Sequence, residues 1–198
     1  MTRDIAFRSY DRSYYLSGLP ALSASQFLLF EGLVDASNSG SLTLETMQNV
    51  ALETMSDGLV TIRAPLPSDV PLIIAARDDE HRQWLGPGSN HPGPTACIVV
   101  KGETVGWVDY DHDREHDWLN GDEVNLGYFI FPSHRGRGFA TRAVELLSAH
   151  LATATPYRTA SVLIDPQNVR SLAVARRCGF KLVGKLKGGK LYSRRYLS

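Results

Sequence analysis

The chain reads as an α+β protein with a mixed, mostly antiparallel central sheet of about seven strands flanked by helices. Three observations predict this. From residue 59 onward, short β-branched and aromatic runs alternate with helical periodicity in the order β-α-β-β-β-α-β-α-β-β. Three of the strands follow one another directly, joined by a tight turn and a polar connection, which makes them antiparallel neighbours. A length of 198 residues, 43% of them hydrophobic, suits one domain with a buried core and an appendage.

Residues 1–58 form the appendage, read as a helical N-terminal extension. Ser23-x-x-Gln26 has the form of a capping box ahead of Phe27, Leu28, Phe30, Leu33 and Val34. Ser37–Ser41 breaks the pattern by composition. Leu44, Met47, Ala51, Leu52 and Met55 then recur at helical spacing, with Gly58 where a C-terminal cap belongs. That apolar stripe covers its own domain, a substrate mouth or a second subunit. The last of these would make a homodimer.

The main domain spans 59–198. Leu59–Ala64 is a strand stopped by Pro65. Ser68 or Asp69 caps a helix with Pro71 in its first turn, and Val70, Ile73, Ile74, Trp84 and Leu85 form its buried side. His81 falls near that face as a satisfied or partly exposed histidine. After the loop Gly86–Pro94 come three strands, Ala96–Lys101, Thr104–Asp111 and Glu123–Phe131. Pro132–Arg137 is a basic turn, and Ala140, Ala143, Val144, Leu147 and Leu151 mark one face of the helix that follows. Pro156 breaks that helix before the strand Thr159–Ile164. Asn168 caps another helix running to Cys178, with Gly179 past its end. Phe180–Lys187 and Lys190–Leu197, joined at Gly188-Gly189, close the chain as a hairpin.

A formal net charge of zero and ordinary apolar content argue against disorder and against a dedicated nucleic-acid binder. Cys97 and Cys178 have no paired spacing and read as packing residues of a reducing compartment. The N-terminus lacks an apolar signal core, and no run reaches the ~18 apolar residues of a membrane span, so a cytoplasmic, non-membrane protein is expected. Charge is uneven, however. Asp109–Glu123 holds seven Asp/Glu against one Arg, whereas residues 168–198 hold nine Lys/Arg and no acid. The asymmetry either steers a cationic substrate and a polyanionic cofactor to different rims or marks two solvated faces. The aspartates and histidines between Asp109 and Asp117 have no recognised ligand spacing, and no metal site is expected.

The chemistry is expected at Glu123–Val144. A strand feeding a helix through a glycine-rich turn leaves backbone N–H groups bare at a positive dipole end, which suits an anion. Gly136 and Gly138 carry no side chain to obstruct a phosphate, and Arg135 and Arg137 offer charge-assisted donors. A merely solvated turn is the alternative. The pattern is neither the Walker loop, since no G-K-[ST] follows, nor the dinucleotide fingerprint, since position 141 is threonine.

Arg135-Gly-Arg-Gly138-Phe-Ala140 resembles the R/Q-x-x-G-x-G/A motif of the GNAT (N-acetyltransferase) superfamily. Asn168-x-x-Ser171, followed by a helix and Gly179-Phe180, resembles that family's later motif. Its form is most like the group that acetylates ribosomal-protein N-termini. The resemblance implies the GNAT fold over residues 59–198, with the fourth and fifth strands (Glu123–Phe131 and Thr159–Ile164) splayed. It implies an acetyl-CoA (acyl-CoA) donor and a small-molecule or peptide amine as acceptor. The main chain of Phe129, Ile130 and Phe131 would hold the pantetheine arm. The amides of Gly136, Arg137, Gly138, Phe139 and Ala140, together with Thr141, would hold the pyrophosphate, with charge from Arg135 and Arg137. Asn168 would bond the arm from the far side, or else only cap its helix. A neutral amine would then attack the thioester directly, with a base or water taking its proton.

The sequence departs from the family where many relatives carry glutamate before the hydrophobic-Gly-Tyr triplet: here stands Asn125. Glu123, two residues earlier on the same strand face, is the substitute base. The tyrosine that serves some relatives as acid is replaced by Ala175, which leaves Ser171 as the candidate. Tyr128 reads as core or sheet surface, and Trp84, Trp107 and Trp118 read as core or acceptor-pocket aromatics. Two rivals remain: an acyl-CoA-binding module without activity, and a nucleic-acid-binding protein using the basic C-terminal hairpin.

Overall fold

The computed structural model describes residues 52–112, 121–186 and 188–198. Among them are eight strands: β1 (Met55–Ser56), β2 (Thr61–Arg63), β3 (Ala96–Val100), β4 (Glu103–Asp111), β5 (Glu123–Ile130), β6 (Thr159–Ile164), β7 (Lys181–Lys185) and β8 (Leu191–Tyr196). Four α-helices accompany them: α1 (Asp69–Ala75), α2 (Asp79–Leu85), α3 (Phe139–Ala154) and α4 (Val169–Arg177). The strands form one sheet in the order β1-β2-β3-β4-β5-β6-β8-β7. Every neighbouring pair is antiparallel except β5 and β6.

The sheet has one more strand than the sequence suggests, because Met55 pairs with Ile62 instead of ending a helix. Gly58, at φ 89°, sits in the turn joining these strands. The Asp57 carboxylate stabilises that turn by accepting the amides of Leu59 and Val60 at 3.0 and 2.8 Å. The rest of the expected extension, through residue 51, lies outside the described residues. The single helix expected after Pro65 is two. Asp78 turns extended (φ −99°, ψ −174°) and its side chain caps α2 by accepting the His81 amide. A side-chain acceptor of this kind competes with continuation of the first helix.

Alternation along the strands sorts the core into two layers. Ile98, Val108, Val124, Leu126, Ala160 and Val162 pack with Ala143, Val144, Leu147 and Leu151 of α3. On the opposite face, Cys97, Trp107, Phe129 and Phe131 pack with Ile73 of α1. Full burial of each large side chain stabilises the fold by about 1.5–3 kcal/mol. Both cysteines are free and buried, and burial pushes their thiols up to about 12. Among the described residues no helix is long and apolar enough to cross a membrane.

β5 and β6 position the site. They pair only at Glu123–Asn125 with Thr159–Ser161. Past that point β5 stays with β4 through Ile130, and β6 stays with β8 through Ile164. The two strands part company, and a cleft opens between them.

Candidate active site

The cleft is walled by Asn125–Tyr128 on β5, by Val162–Asp165 at the end of β6, and by Asn168 and Ser171 at the start of α4. Gln83, Trp84 and Leu85 of α2, with Trp107 of β4, close another side. Trp107 thus serves both the packing layer and the cleft, Trp84 lines the cleft, and Trp118 lies outside the described residues. The Phe131 amide donates to the Val105 carbonyl of β4 at 2.8 Å, which fixes the phase of β5. By alternation Phe129 also turns its amide and carbonyl toward β4, and Leu126, Tyr128 and Ile130 turn theirs toward the cleft. Of the three residues expected on the free edge, only Ile130 lies there. Phe129 and Phe131 belong to the other edge.

Beyond β5, Gly136 and Gly138 adopt φ of 76° and 79°, which a side-chain-bearing residue rarely does. No atom comes within 4 Å of the place a Cβ would occupy on either glycine, so the turn is open above them. The first bond within α3 runs from the Arg142 amide to the Gly138 carbonyl, and Gly138 supplies no capping side chain. The amides of Phe139, Ala140 and Thr141 therefore lack intrahelical acceptors. The Thr141 hydroxyl oxygen beside them is buried without a partner. Arg137 is exposed and donates to the Ser133 carbonyl at 3.2 Å. Open glycines, bare amides and an orphaned hydroxyl fit a diphosphate.

Arg135 is placed differently from the expectation. Its guanidinium meets Asp78 at 2.6 and 2.9 Å and Glu80 at 2.8 Å, and its Nε donates to the Ile130 carbonyl at 3.1 Å. It also stacks over the Phe129 ring, 5.3 Å from the centroid. Two carboxylates cancel its charge, so it binds α2 to the end of β5 and is not a free phosphate ligand.

The family model described as an acetyltransferase (GNAT) domain matches residues 59–181. The chain belongs to the GNAT acetyltransferase family. Solved structures of similar fold include the RimL ribosomal L7/L12 alpha-N-protein acetyltransferase in complex with coenzyme A. That likeness has 18% identity and a TM-score of 0.62, covering 73% of this chain and 98% of that one. A GNAT-family acetyltransferase from Bacillus anthracis matches at 13% identity and a TM-score of 0.61, over 73% and 98%. Aminoglycoside acetyltransferase AAC(6')-Ib with coenzyme A and kanamycin matches at 16% and 0.59, over 69% and 94%. These likenesses concern the fold. No curated protein sequence matches the chain.

Family membership makes acetyl-CoA the co-substrate, and the cleft and turn have the features to hold it. Asn168 lines the cleft, but its Oδ1 caps α4 by accepting the Ser171 amide at 3.0 Å. Its Nδ2 group remains to donate to a ligand, which lets one side chain serve both roles the sequence left in conflict. Ser171 lines the same wall. Tyr128, which the sequence reads as core or sheet surface, reaches across from β5 and its hydroxyl donates to the Ser171 carbonyl at 3.3 Å. Burial raises this phenol to about 12, so it stays protonated. The family's hydrophobic-Gly-Tyr triplet was the sequence signal for it.

Glu123 sits at the closed end of the cleft, not along its walls. Its Oε1 accepts from the Tyr192 hydroxyl at 2.6 Å, and its Oε2 lies 2.9 Å from Arg194 Nη2. Burial and this carboxylate together push the Tyr192 phenol up. The residue expected as a free base is thus a buried tie between β5 and β8. Among the described residues, no cluster of His, Cys, Asp and Glu is arranged to hold a metal.

Proposed function

We propose that this GNAT protein transfers an acetyl group from acetyl-CoA to a primary amine by direct attack within one ternary complex. One observation carries the reading. β5 and β6 separate after three paired positions, and the edge of Leu126, Tyr128 and Ile130, whose amides face the cleft, leads toward the bare amides of α3. Two similar structures are named for amine acceptors, a ribosomal-protein α-amine and an aminoglycoside, which supports an amine here.

When bound, acetyl-CoA supplies an activated acyl group on a thioester. The chain supplies orientation. Edge amides of β5 hold the arm, amides of residues 139–141 with Arg137 hold the diphosphate, and Trp84, Leu85 and Trp107 wall the acceptor side. The acceptor must arrive neutral, since a protonated amine has no lone pair. Asp165 is the one carboxylate in the described cleft wall, and its Oδ1 accepts the Gln167 amide at 2.8 Å. We therefore assign the proton to water at the cleft mouth. Glu123 acts indirectly, by holding Asn125 and the strand pairing in place. On the α4 side the Ser171 hydroxyl serves as donor to the departing thiolate, while Tyr128, whose hydroxyl donates to the Ser171 carbonyl, braces that position.

A thiol-release assay over peptide N-termini, aminoglycosides, polyamines and free amino acids tests the reading. Turnover with at least one amine is expected. Coenzyme A binding without any turnover would favour the inactive binding module, to which the sealed Glu123 and Asn125 lend support. No binding at all would overturn both.

A further inference from the structure

Four side chains form a continuous ionic chain at the end of β5. Asp78, which caps α2, and Glu80 within that helix both grip Arg135, and the same Glu80 Oε2 accepts from Arg170 Nη1 of α4 at 2.7 Å. Arg170 lies between Asn168 and Ser171, and Glu80 lies one turn ahead of Gln83 and Trp84. All four of those neighbours line the cleft. The Glu80–Arg170 link therefore joins the α2 and α4 walls of the cleft. A ligand lying along Leu126–Ile130 toward the amides of α3 must pass the end of β5, where this link crosses.

We infer that Glu80 is a positioning residue that bars the cleft, its Oε2 tying Arg135 at the end of β5 to Arg170 on α4 so that a bound arm is enclosed. The inference rests on the acetyltransferase reading above. The two halves of the bar differ in strength. Side-chain exposure is 20% at Arg135 but 70% at Arg170, with Glu80 at 29%. The inner half is geometrically fixed and shielded. The outer half is a single exposed ion pair, weak and screened by salt, and so able to open for entry and release. Because Gln83, Trp84 and Leu85 share a helix with Glu80, the bar also sets the acceptor wall.

The test is stopped-flow release of a fluorescent coenzyme A conjugate from the full chain. Arg170→Gln is expected to release it about two- to fivefold faster, the worth of one exposed ion pair. Arg170→Lys should restore most of the wild-type rate. Glu80→Gln should also quicken release and raise the amine KM with little change in kcat. The wild type should approach Arg170→Gln as salt rises. If Glu80→Gln instead slows release, Arg170 binds phosphate directly once freed, and the bar is wrong. Identical release from Arg170→Gln and wild type at every salt concentration would likewise overturn it. Failure of the wild type to bind the conjugate or coenzyme A itself would bring down the acetyltransferase reading, and the bar with it.

Discussion

Glu123→Gln separates a structural carboxylate from a catalytic one. The Glu123 side chain is 0% exposed and Arg194 is 30% exposed. Removing one partner of a buried ion pair costs about 3–5 kcal/mol, because the other charge is left uncompensated. Two features of this site reduce that figure. Arg194 keeps part of its hydration, and glutamine still offers Tyr192 an oxygen at the Oε1 position. A loss of about 2 kcal/mol remains, which for a chain of this size lowers Tm by roughly 4–8 °C. Melting followed by circular dichroism reads the stability, and thiol release at saturating amine reads kcat. The expected outcome is a lower Tm with kcat within a few-fold of wild type. An unchanged Tm with kcat reduced by about 10²–10⁴, the usual worth of a general base, would refute the structural role.

Other perturbations probe the turn and its supports. Gly138→Ala meets no neighbour, but forces a Cβ onto φ 79° at a cost of about 1–2 kcal/mol, so the melt should drop modestly. Coenzyme A affinity should fall on the order of tenfold, because the methyl would stand in the ligand's space. Arg135→Lys cannot keep the two-pronged grip on Asp78 while reaching Glu80 and Ile130, so the fold should lose about 2 kcal/mol. The amine KM should rise more than the coenzyme A Kd; a large loss of coenzyme A affinity at unchanged stability would return Arg135 to the phosphates. Acid should unfold the protein in a defined window. Backbone amides, chiefly that of Val60, with Arg142 hold Asp57 at about 2, and Arg135 holds Asp78 at about 2, against an ordinary value of 3.8; Arg63 depresses Asp69 further. Depressed folded values mean the stability is present above about pH 4 and is lost as pH falls toward 2. A Tm independent of pH over that window would contradict these ion pairs.

What the sequence revealed and what it hid divide by distance along the chain. The strand, glycine turn and helix at Glu123–Val144 were legible because periodicity, Pro132 and the paired glycines all act locally. Nothing local could show that Arg135 is neutralised, since Asp78 and Glu80 lie 57 and 55 residues upstream. The helix break at Asp78 was readable in principle, as an aspartate three residues before the amide it caps. The phase of β5 was not, because alternation says which residues share an edge but only the register with β4 says which edge. Glu123 was correctly placed on the face of Asn125. Its partner Tyr192, 69 residues away, makes it a tie and not a base.

The cancelled charge of Arg135 leaves Arg137 as the arginine of the turn that can meet a diphosphate, and that division can be measured. Arg137 is exposed and its contact within the described turn is to a carbonyl, which does not neutralise it. An exposed charge pair contributes about 0.2–1 kcal/mol, so Arg137→Gln should weaken coenzyme A binding roughly 1.5- to 5-fold at low salt. At 1 M salt the screening length falls to about 3 Å and the deficit should nearly vanish. The diphosphate's share of the residual affinity then belongs to the amides of residues 139–141, whose dipoles are fixed by the helix and cannot be removed by a side-chain change. Calorimetry of coenzyme A with both proteins at low and high salt decides the point. Equal binding at low salt would place the diphosphate away from Arg137 and unseat this assignment of the turn.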